Sequence, residues 1–141
     1  MKADAHTAGE VEAAIQKMTD AYKTRRLNDL MGCFAPDSDV VVYGTGVDEK
    51  RVGPEQIQSQ VERDWSQADS IEMSFTSKSI SAAGNVAWAA MDGAFNLRAD
   101  GQDAAIPARV SFVLEKRDGK WLIVHSHFST PAAGQEEGSS F

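Results

Sequence analysis

The sequence predicts an α+β fold in a single domain, with N-terminal helices followed by an antiparallel sheet. Three observations support this prediction. Apolar residues recur at helical spacing as far as Trp65, apolar and polar residues alternate from Ile71 onward, and glycine-containing turns divide the alternating part into four strands. We place the domain at residues 1–131 and predict that the tail, residues 132–141, is disordered because it is rich in Gly, Ser and Glu.

Three helices are predicted in the first half of the chain. Thr7 and Glu10 fit a capping box, and an apolar stripe follows that is typical of a helix: Val11, Ala14, Ile15, Met18, Ala21 and Tyr22. A short second helix ends before Pro36, because proline cannot continue the backbone hydrogen-bond ladder. Residues 40–43 form a β-rich run, and Pro54 indicates the first turn of a third helix.

Four long strands are predicted to form a meander in the second half, at about residues 71–82, 85–98, 104–117 and 120–130. Asp118-Gly119 between the last two strands predicts a type I′ turn, because both central residues of that turn need a positive φ. A two-residue loop at this point fixes the expected register, which pairs Leu114 with Ile123, Phe112 with His125 and Val110 with His127.

The last strand places imidazole and apolar side chains at alternate positions, so that one face is expected to carry Trp121, Ile123, His125 and His127. Two imidazoles on an apolar face indicate the wall of a cavity. Arg109 is expected on the opposite face across from Asp92, and either that carboxylate or a ligand carboxylate would pair with its charge. Because both faces carry apolar residues, we expect one to cover the helices and the other to meet a second copy of the chain.

Composition and charge exclude several classes of partner. The chain has 141 residues, a formal net charge of −7 and a pI near 4.9, so we expect it to bind neither nucleic acid nor an anionic membrane. Cys33 is the only cysteine, which excludes an intrachain disulfide and a thiolate metal cluster. The start lacks the apolar stretch of a signal peptide, and no run approaches the ~20 apolar residues of a membrane span, so we predict a cytoplasmic location.

Four segments occur in an order that identifies a known family: Phe34-Ala35-Pro36-Asp37, Val42-Tyr43-Gly44, Gly53-Pro54-Glu55-Gln56-Ile57 and the ending from Asp118 to Ser129. With them, the chain from Gly9 to Pro131 resembles the SnoaL-like branch of the nuclear transport factor 2 superfamily. The ending is especially similar to the association domain of calcium/calmodulin-dependent kinase II and its stand-alone bacterial relatives. The resemblance implies a cone-shaped fold, in which a curved sheet wraps around the first helix, with a pocket at the wide end and homodimers formed through the sheet.

The resemblance does not imply the activity of ketosteroid isomerase, the best-known enzyme on this scaffold. That chemistry needs a carboxylate base, a tyrosine hydroxyl and a protonated carboxylic acid. Laying the chain over that family puts Val42 or Tyr43 at the position of the base, and Met18 or Thr19 at that of the tyrosine. Residues 109–111 fall near the position of the acid, and none of these side chains supplies the required group.

The candidate ligand-binding residues are Tyr43, Trp65, Arg109, His125 and His127. The leading hypothesis is a homodimeric domain that binds a small polar or anionic organic molecule in the cone, without a cofactor and with no catalytic residue assigned. One alternative is an isomerase, cyclase or dehydratase in which His125 or His127 moves a proton, and another is an oligomerisation module. Two neutral imidazoles could also share a metal ion, but the spacing specifies no third ligand, so no metal site is predicted.

Overall fold

The computed structural model describes residues 1–141 and contains three helices and six strands. The helices are α1 (Ala5–Lys23), α2 (Leu27–Met31) and α3 (Gly53–Gln67). The strands are β1 (Val41–Tyr43), β2 (Lys50–Val52), β3 (Ser70–Ala83), β4 (Val86–Ala99), β5 (Gln102–Arg117) and β6 (Lys120–Ser129). The α+β class and the four-strand meander are therefore confirmed, whereas β2 was not predicted. No helix or strand follows Ser129, and the predicted disorder of the tail stays a prediction.

The six strands form one sheet in the order β2-β1-β6-β5-β4-β3. All neighbours are antiparallel except β1 and β6, which run parallel, so the predicted meander is antiparallel and the whole sheet is mixed. The physical reason is that a tight hairpin enforces antiparallel pairing only between strands that are consecutive in the chain. β1 and β6 are neighbours in the sheet but far apart in the chain, so no such turn joins them.

Two-residue turns join β4 to β5 and β5 to β6, as the sequence predicts. Asp100 and Gly101 have φ of 53° and 76°, and Asp118 and Gly119 have φ of 50° and 79°. Positive φ at both central positions is the signature of the type I′ turn. These turns fix the register of the meander at its hairpin ends.

Two β-bulges interrupt the meander. In β3 the register shifts between Phe75 and Ser77, and the backbone of β3 approaches Gly93 so closely that a Cβ there would lie 1.9 Å from Ser74 O. In β6 the pairing passes from Leu114–Ile123 to Val113–His125, which leaves Val124 without a partner on β5. Bulges bend a strand and increase its twist, and this favours the curvature of the sheet.

The core lies between α1 and the concave face of the sheet. Its largest fully buried side chains include Phe112, Leu114 and Ile123, which pack with the apolar stripe of α1. α1 contacts both β3 and β6, so the sheet wraps around it from two sides. No helix of the chain is both long and apolar enough to cross a lipid bilayer.

The N-cap of α1 differs from the prediction. The N-cap is Asp4, three residues before Thr7, and it caps the helix by accepting a hydrogen bond from Thr7 N at 2.7 Å. Both Asp and Thr are good N-cap residues, and the sequence alone does not choose between them. Glu10 is thereby free to bind across the core, where its carboxylate accepts hydrogen bonds from Trp121 Nε1 at 2.8 Å and Lys116 Nζ at 3.1 Å.

Candidate functional site

A cavity of about 340 Å³ lies between α1, α3 and the concave face of the sheet. Its walls are mainly apolar, and the sheet contributes Ile71, Met73, Phe95, Leu97 and Phe128. Thr45, Gln67 and Ile106 also line it, and all three are exposed, so they mark its mouth. A cavity of this size falls within the ~300–1,000 Å³ that is typical of small-molecule sites.

Four polar side chains form one end of the cavity, which we call the acidic end: Tyr22, Glu49, Gln60 and Asp64. The Tyr22 hydroxyl donates to Asp64 Oδ2 at 2.9 Å. Gln60 Nε2 donates to Asp64 Oδ1 at 2.7 Å and to Glu49 Oε1 at 3.1 Å. One hydrogen-bonded chain therefore connects α1, α3 and the loop between β1 and β2.

Burial determines the protonation behaviour of the acidic end. Loss of solvent raises the pKa of the Asp64 carboxyl above its ordinary value, and the nearby Glu49 carboxylate adds to this shift. Hydrogen bonds from Gln60 and Tyr22 and the more distant charge of Arg63 oppose it. Burial, followed by the Asp64 charge, raises the pKa of Tyr22 far above its usual range, so this hydroxyl remains a donor. No Lys, Arg or His nitrogen lies within 4.0 Å of the Asp64 carboxylate.

Two buried polar atoms of cavity-lining residues have no hydrogen-bond partner: Gln60 Oε1 and Ser126 Oγ. Gln60 is 8% exposed and Ser126 is 0% exposed. The neighbours of Gln60 set the orientation of its amide, because turning it over would point its oxygen at two carboxylates. Buried polar groups are nearly always paired, and leaving one unpaired costs about 1–3 kcal/mol.

The loop between β1 and β2 holds Glu49 against the cavity. Glu49 Oε2 accepts a hydrogen bond from Gly46 N at 2.9 Å, and Gly44 N donates to Glu49 O at 2.8 Å. A Cβ on Gly44 would lie 2.1 Å from Glu49 Oε2 and 3.0 Å from Glu49 Cβ. Glycine at this position therefore leaves the room that the folded-back carboxylate occupies.

Four of the five predicted ligand-binding residues lie on the outer face of the sheet, the surface turned away from α1, and three of them lie together: Tyr43, His125 and His127. Tyr43 is paired directly with His127, and their rings are 4.9 Å apart. His125 Nδ1 donates to Val41 O at 2.8 Å, because a carbonyl oxygen can only accept. None of these three side chains lines the cavity, although they form a cluster of their own. No group of three or more His, Cys, Asp or Glu side chains is placed to hold a metal ion.

Arg109 and Trp65 do not line the cavity either. Arg109 is exposed on the outer face directly opposite Asp92, so its predicted register is confirmed, but no ion pair within 4.0 Å joins the two side chains. Trp65 packs against the core and donates from Nε1 to Tyr22 O at 3.1 Å. Its ring centroid lies 6.0 Å from that of Tyr22, and the two rings are tilted by 47°. Any role of these five residues in binding a ligand stays a prediction.

The bulge at Val124 explains why the residues that follow it in β6 lie on the opposite face of the sheet from the one predicted. The expected pair Leu114–Ile123 is present, but beyond it Val113 pairs with His125 and Ser111 pairs with His127. The predicted partners Phe112 and Val110 instead pair with Ser126 and Phe128. Side chains alternate with a period of two, so one extra residue moves both histidines to the outer face and brings Ser126 and Phe128 inside.

The acidic end was missed by sequence reasoning, although α3 contains a signal for it. Gln60 and Asp64 follow Ile57 at positions i+3 and i+7, so they fall in the same stripe as Ile57 and Val61. Polar residues inside a buried helical stripe are candidates for a site. Ser126 gave no such signal, because its place on the inner face depends on the bulge.

Comparisons with known proteins agree with this architecture. A family model described as a SnoaL-like domain matches residues 11–133. No curated protein matches the sequence significantly. Among solved structures, a candidate calcium/calmodulin dependent protein kinase II association domain from Xanthomonas campestris is 29% identical, with a TM-score of 0.78 over 92% of this chain and 93% of that chain.

Two further structures share the fold at lower identity. A candidate dehydratase of the NTF2-like family from Streptomyces avermitilis is 14% identical, with a TM-score of 0.81 over 89% of this chain and 97% of that chain. A nuclear transport factor 2 superfamily protein from Salmonella enterica is 20% identical, with a TM-score of 0.80 over 93% of this chain and 95% of that chain. The cone-shaped α+β fold that the sequence predicts is confirmed.

Proposed function

The chain belongs to the family of SnoaL-like domains, and from this membership and the cavity geometry we propose that it binds a small organic molecule inside the cone. The observation that carries the proposal is that two residues lining a mainly apolar cavity each have a buried polar atom without a partner, namely Gln60 Oε1 and Ser126 Oγ. A ligand that hydrogen-bonds to them would offset the cost of their burial. The apolar walls would hold the rest of the molecule.

The charge of the cavity favours a neutral or cationic ligand over an anionic one. The sequence-based expectation of an anionic ligand depended on Arg109, which lies on the outer face. The cavity wall carries two carboxylates, Glu49 and Asp64, and one guanidinium, Arg51. Arg51 Nη1 already donates to the carbonyl oxygens of Asp48 and Lys50. An anion in the cavity would meet net negative charge.

A cavity-blocking variant tests the binding proposal. Ile71 of β3 is half-buried and lines the cavity, so Ile71→Trp places an indole there. Ser79→Trp introduces the same side chain at an exposed position of the same strand. Fragments of roughly ten to fifteen non-hydrogen atoms are screened by the shift they cause in the thermal midpoint. We expect fragments that stabilise the wild type and Ser79→Trp but not Ile71→Trp. If every stabilising fragment acts equally on Ile71→Trp, the cavity is not the binding site.

We also propose that the domain forms homodimers through the outer face. A cross-strand row of side chains with substantial apolar surface runs over this face, namely Val52, Val41, His125, Val113 and Trp88. Val113→Glu places a charge within this row, and Val47→Glu makes the same change in an exposed loop. Light scattering should give a dimer mass for the wild type and Val47→Glu and a monomer mass for Val113→Glu. A monomeric wild type at micromolar concentration would contradict the proposal.

Proton transfer is the second candidate function. The sequence-based alternative assigned it to His125 or His127, but Asp64 is the titratable group in the cavity whose raised pKa suits an acid or base. Turnover of any fragment found by the screen, lost in Asp64→Asn with binding retained, would support catalysis. Binding without turnover would mean that the domain binds its ligand and does not transform it.

The cytoplasmic location predicted from the sequence remains a prediction.

A further inference from the structure

The donors and acceptors that remain unused at the acidic end define the group that a ligand must present there. Both strong donors are already used: the Tyr22 hydroxyl donates to Asp64, and the Gln60 amide donates to Asp64 and Glu49. Gln60 Oε1 accepts from nothing. Each Asp64 oxygen accepts one of these hydrogen bonds and has a lone pair left over. The acidic end therefore offers acceptors and lacks free donors, so a complementary group must donate hydrogen bonds.

The two carboxylates of the acidic end differ in their charge partners. Glu49 Oε1 accepts from Arg63 Nη2 at 3.0 Å, and Arg63 also binds Asp48 at 2.8 Å, so Arg63 balances part of the Glu49 charge from outside the cavity. Asp64 has no cationic partner within 4.0 Å. A buried carboxylate without a cation is costly, and burial raises the pKa of this one. A cation brought by the ligand would supply the missing partner.

The remainder of the cavity accommodates an uncharged, apolar body. Away from the acidic end, the sheet wall consists of Ile71, Met73, Phe95, Leu97 and Phe128. Phe95 and Phe128 have ring centroids 5.6 Å apart, so they present one aromatic surface. A ligand with a charged head and an apolar tail would match the two ends of the cavity.

We propose that the cavity binds a cationic amine whose ammonium group donates hydrogen bonds to Gln60 Oε1 and to the Asp64 carboxylate, while its apolar body packs on the Phe95 and Phe128 rings. This inference rests on the proposed binding function and narrows it to one class of ligand. An ammonium provides three donors and no acceptor, which is the complement of the acidic end. Charge-assisted hydrogen bonds are also roughly twice as strong as neutral ones.

Three compounds with the same skeleton test the inference: 4-phenylbutylamine, 4-phenylbutanol and 4-phenylbutyrate. Their dissociation constants are measured by isothermal titration calorimetry at neutral pH, with wild type and Ile71→Trp. We expect the amine to bind at least about tenfold more tightly than the alcohol, and the carboxylate to bind most weakly. If the alcohol or the carboxylate binds as tightly as the amine, and Ile71→Trp abolishes that binding, the inference is wrong and the binding function stands. If Ile71→Trp abolishes no binding, both are wrong.

A matched pair of charge-removing variants locates the contact. Asp64→Asn removes the unpaired carboxylate of the acidic end, and Asp69→Asn makes the same change at an exposed position just beyond α3. We expect Asp64→Asn to weaken the amine about tenfold and to leave the alcohol nearly unchanged, whereas Asp69→Asn should affect neither. Equal weakening of the amine by both variants would show only long-range attraction and would overturn the inference. Circular dichroism and the retained affinity for the alcohol check that Asp64→Asn is folded.

Discussion

Replacing Ser126 by alanine should make the protein more stable, which is unusual for a fully buried position. The Ser126 hydroxyl is 0% exposed and has no hydrogen-bond partner, so folding removes it from water without compensation. Such burial costs about 1–3 kcal/mol, and alanine keeps the Cβ but lacks the hydroxyl. Since alanine is slightly less favourable than serine in many strands, we expect a net gain of about 1 kcal/mol in the free energy of unfolding.

Urea denaturation measures this gain, with Ser111→Ala as the control. Ser111 is exposed on the outer face of β5, so its replacement should change the free energy of unfolding by less than about 0.5 kcal/mol. With a urea dependence of about 1–3 kcal/mol per molar, the Ser126→Ala midpoint should rise by roughly 0.3–1 M. Affinity for a cavity ligand should fall in the same variant, because the hydroxyl that lowers the stability of the protein is the one proposed to hydrogen-bond the ligand.

The result that would refute this reasoning is a loss of stability in Ser126→Ala. Such a loss would mean that the hydroxyl makes a favourable hydrogen bond in the folded protein. A change as small as that of Ser111→Ala would instead place Ser126 on a solvated face, which is where uninterrupted alternation along β6 would put it. Either outcome would remove one of the two partnerless atoms on which the proposed function depends.

Three other substitutions test separate parts of the structure, each by urea denaturation. Gly93→Ala should lower the free energy of unfolding by about 1–3 kcal/mol, because its Cβ would lie 1.9 Å from Ser74 O; an unchanged stability would contradict the close approach at the bulge. Phe112→Ala should cost about 3–5 kcal/mol, since Phe112 is 0% exposed in the core; a cost below 1 kcal/mol would contradict its burial. The folded-state pKa of Asp64 is raised, so the stability it contributes is present below the unfolded-state pKa and is lost as pH rises through the folded-state pKa. The stability of Asp64→Asn relative to the wild type should therefore increase as the pH rises above about 4, the unfolded-state pKa of Asp. A relative stability that decreases over the same rise in pH would mean that the pKa of Asp64 is lowered.

The sequence predicts the parts of this fold that local chemistry determines. Asp118-Gly119 allows the positive φ of a two-residue turn, so the hairpin and its register next to the turn could be derived, including the pair Leu114–Ile123. The α3 start at Gly53-Pro54 follows from the backbone preferences of the two residues. β2 could not be derived, because three residues with two basic side chains are too short for a periodic pattern and pair only in the folded sheet.

The candidate site was predicted less well, for a reason that lies in one residue. Val124 forms the bulge, and nothing in a run of Ile, Val and His shows where an extra residue is inserted. Every side-chain direction after it was therefore assigned to the wrong face, which put the two histidines in the cavity and left Ser126 out. Asp64 could have been found, because it lies in the buried stripe of α3, but its partner Tyr22 is 42 residues away and meets it only through tertiary packing.

Binding inside the cavity can be tested by the changes in backbone and side-chain amide shifts during a titration with 4-phenylbutylamine. They are recorded in two-dimensional ¹H–¹⁵N spectra of the labelled protein. The largest changes should fall on the Gln60 side-chain amide and the Ser126 backbone amide, in two residues that line the cavity. Changes confined to Tyr43, Arg109 and His127 on the outer face would contradict it, and they would place ligand binding where the uninterrupted alternation of β6 located it.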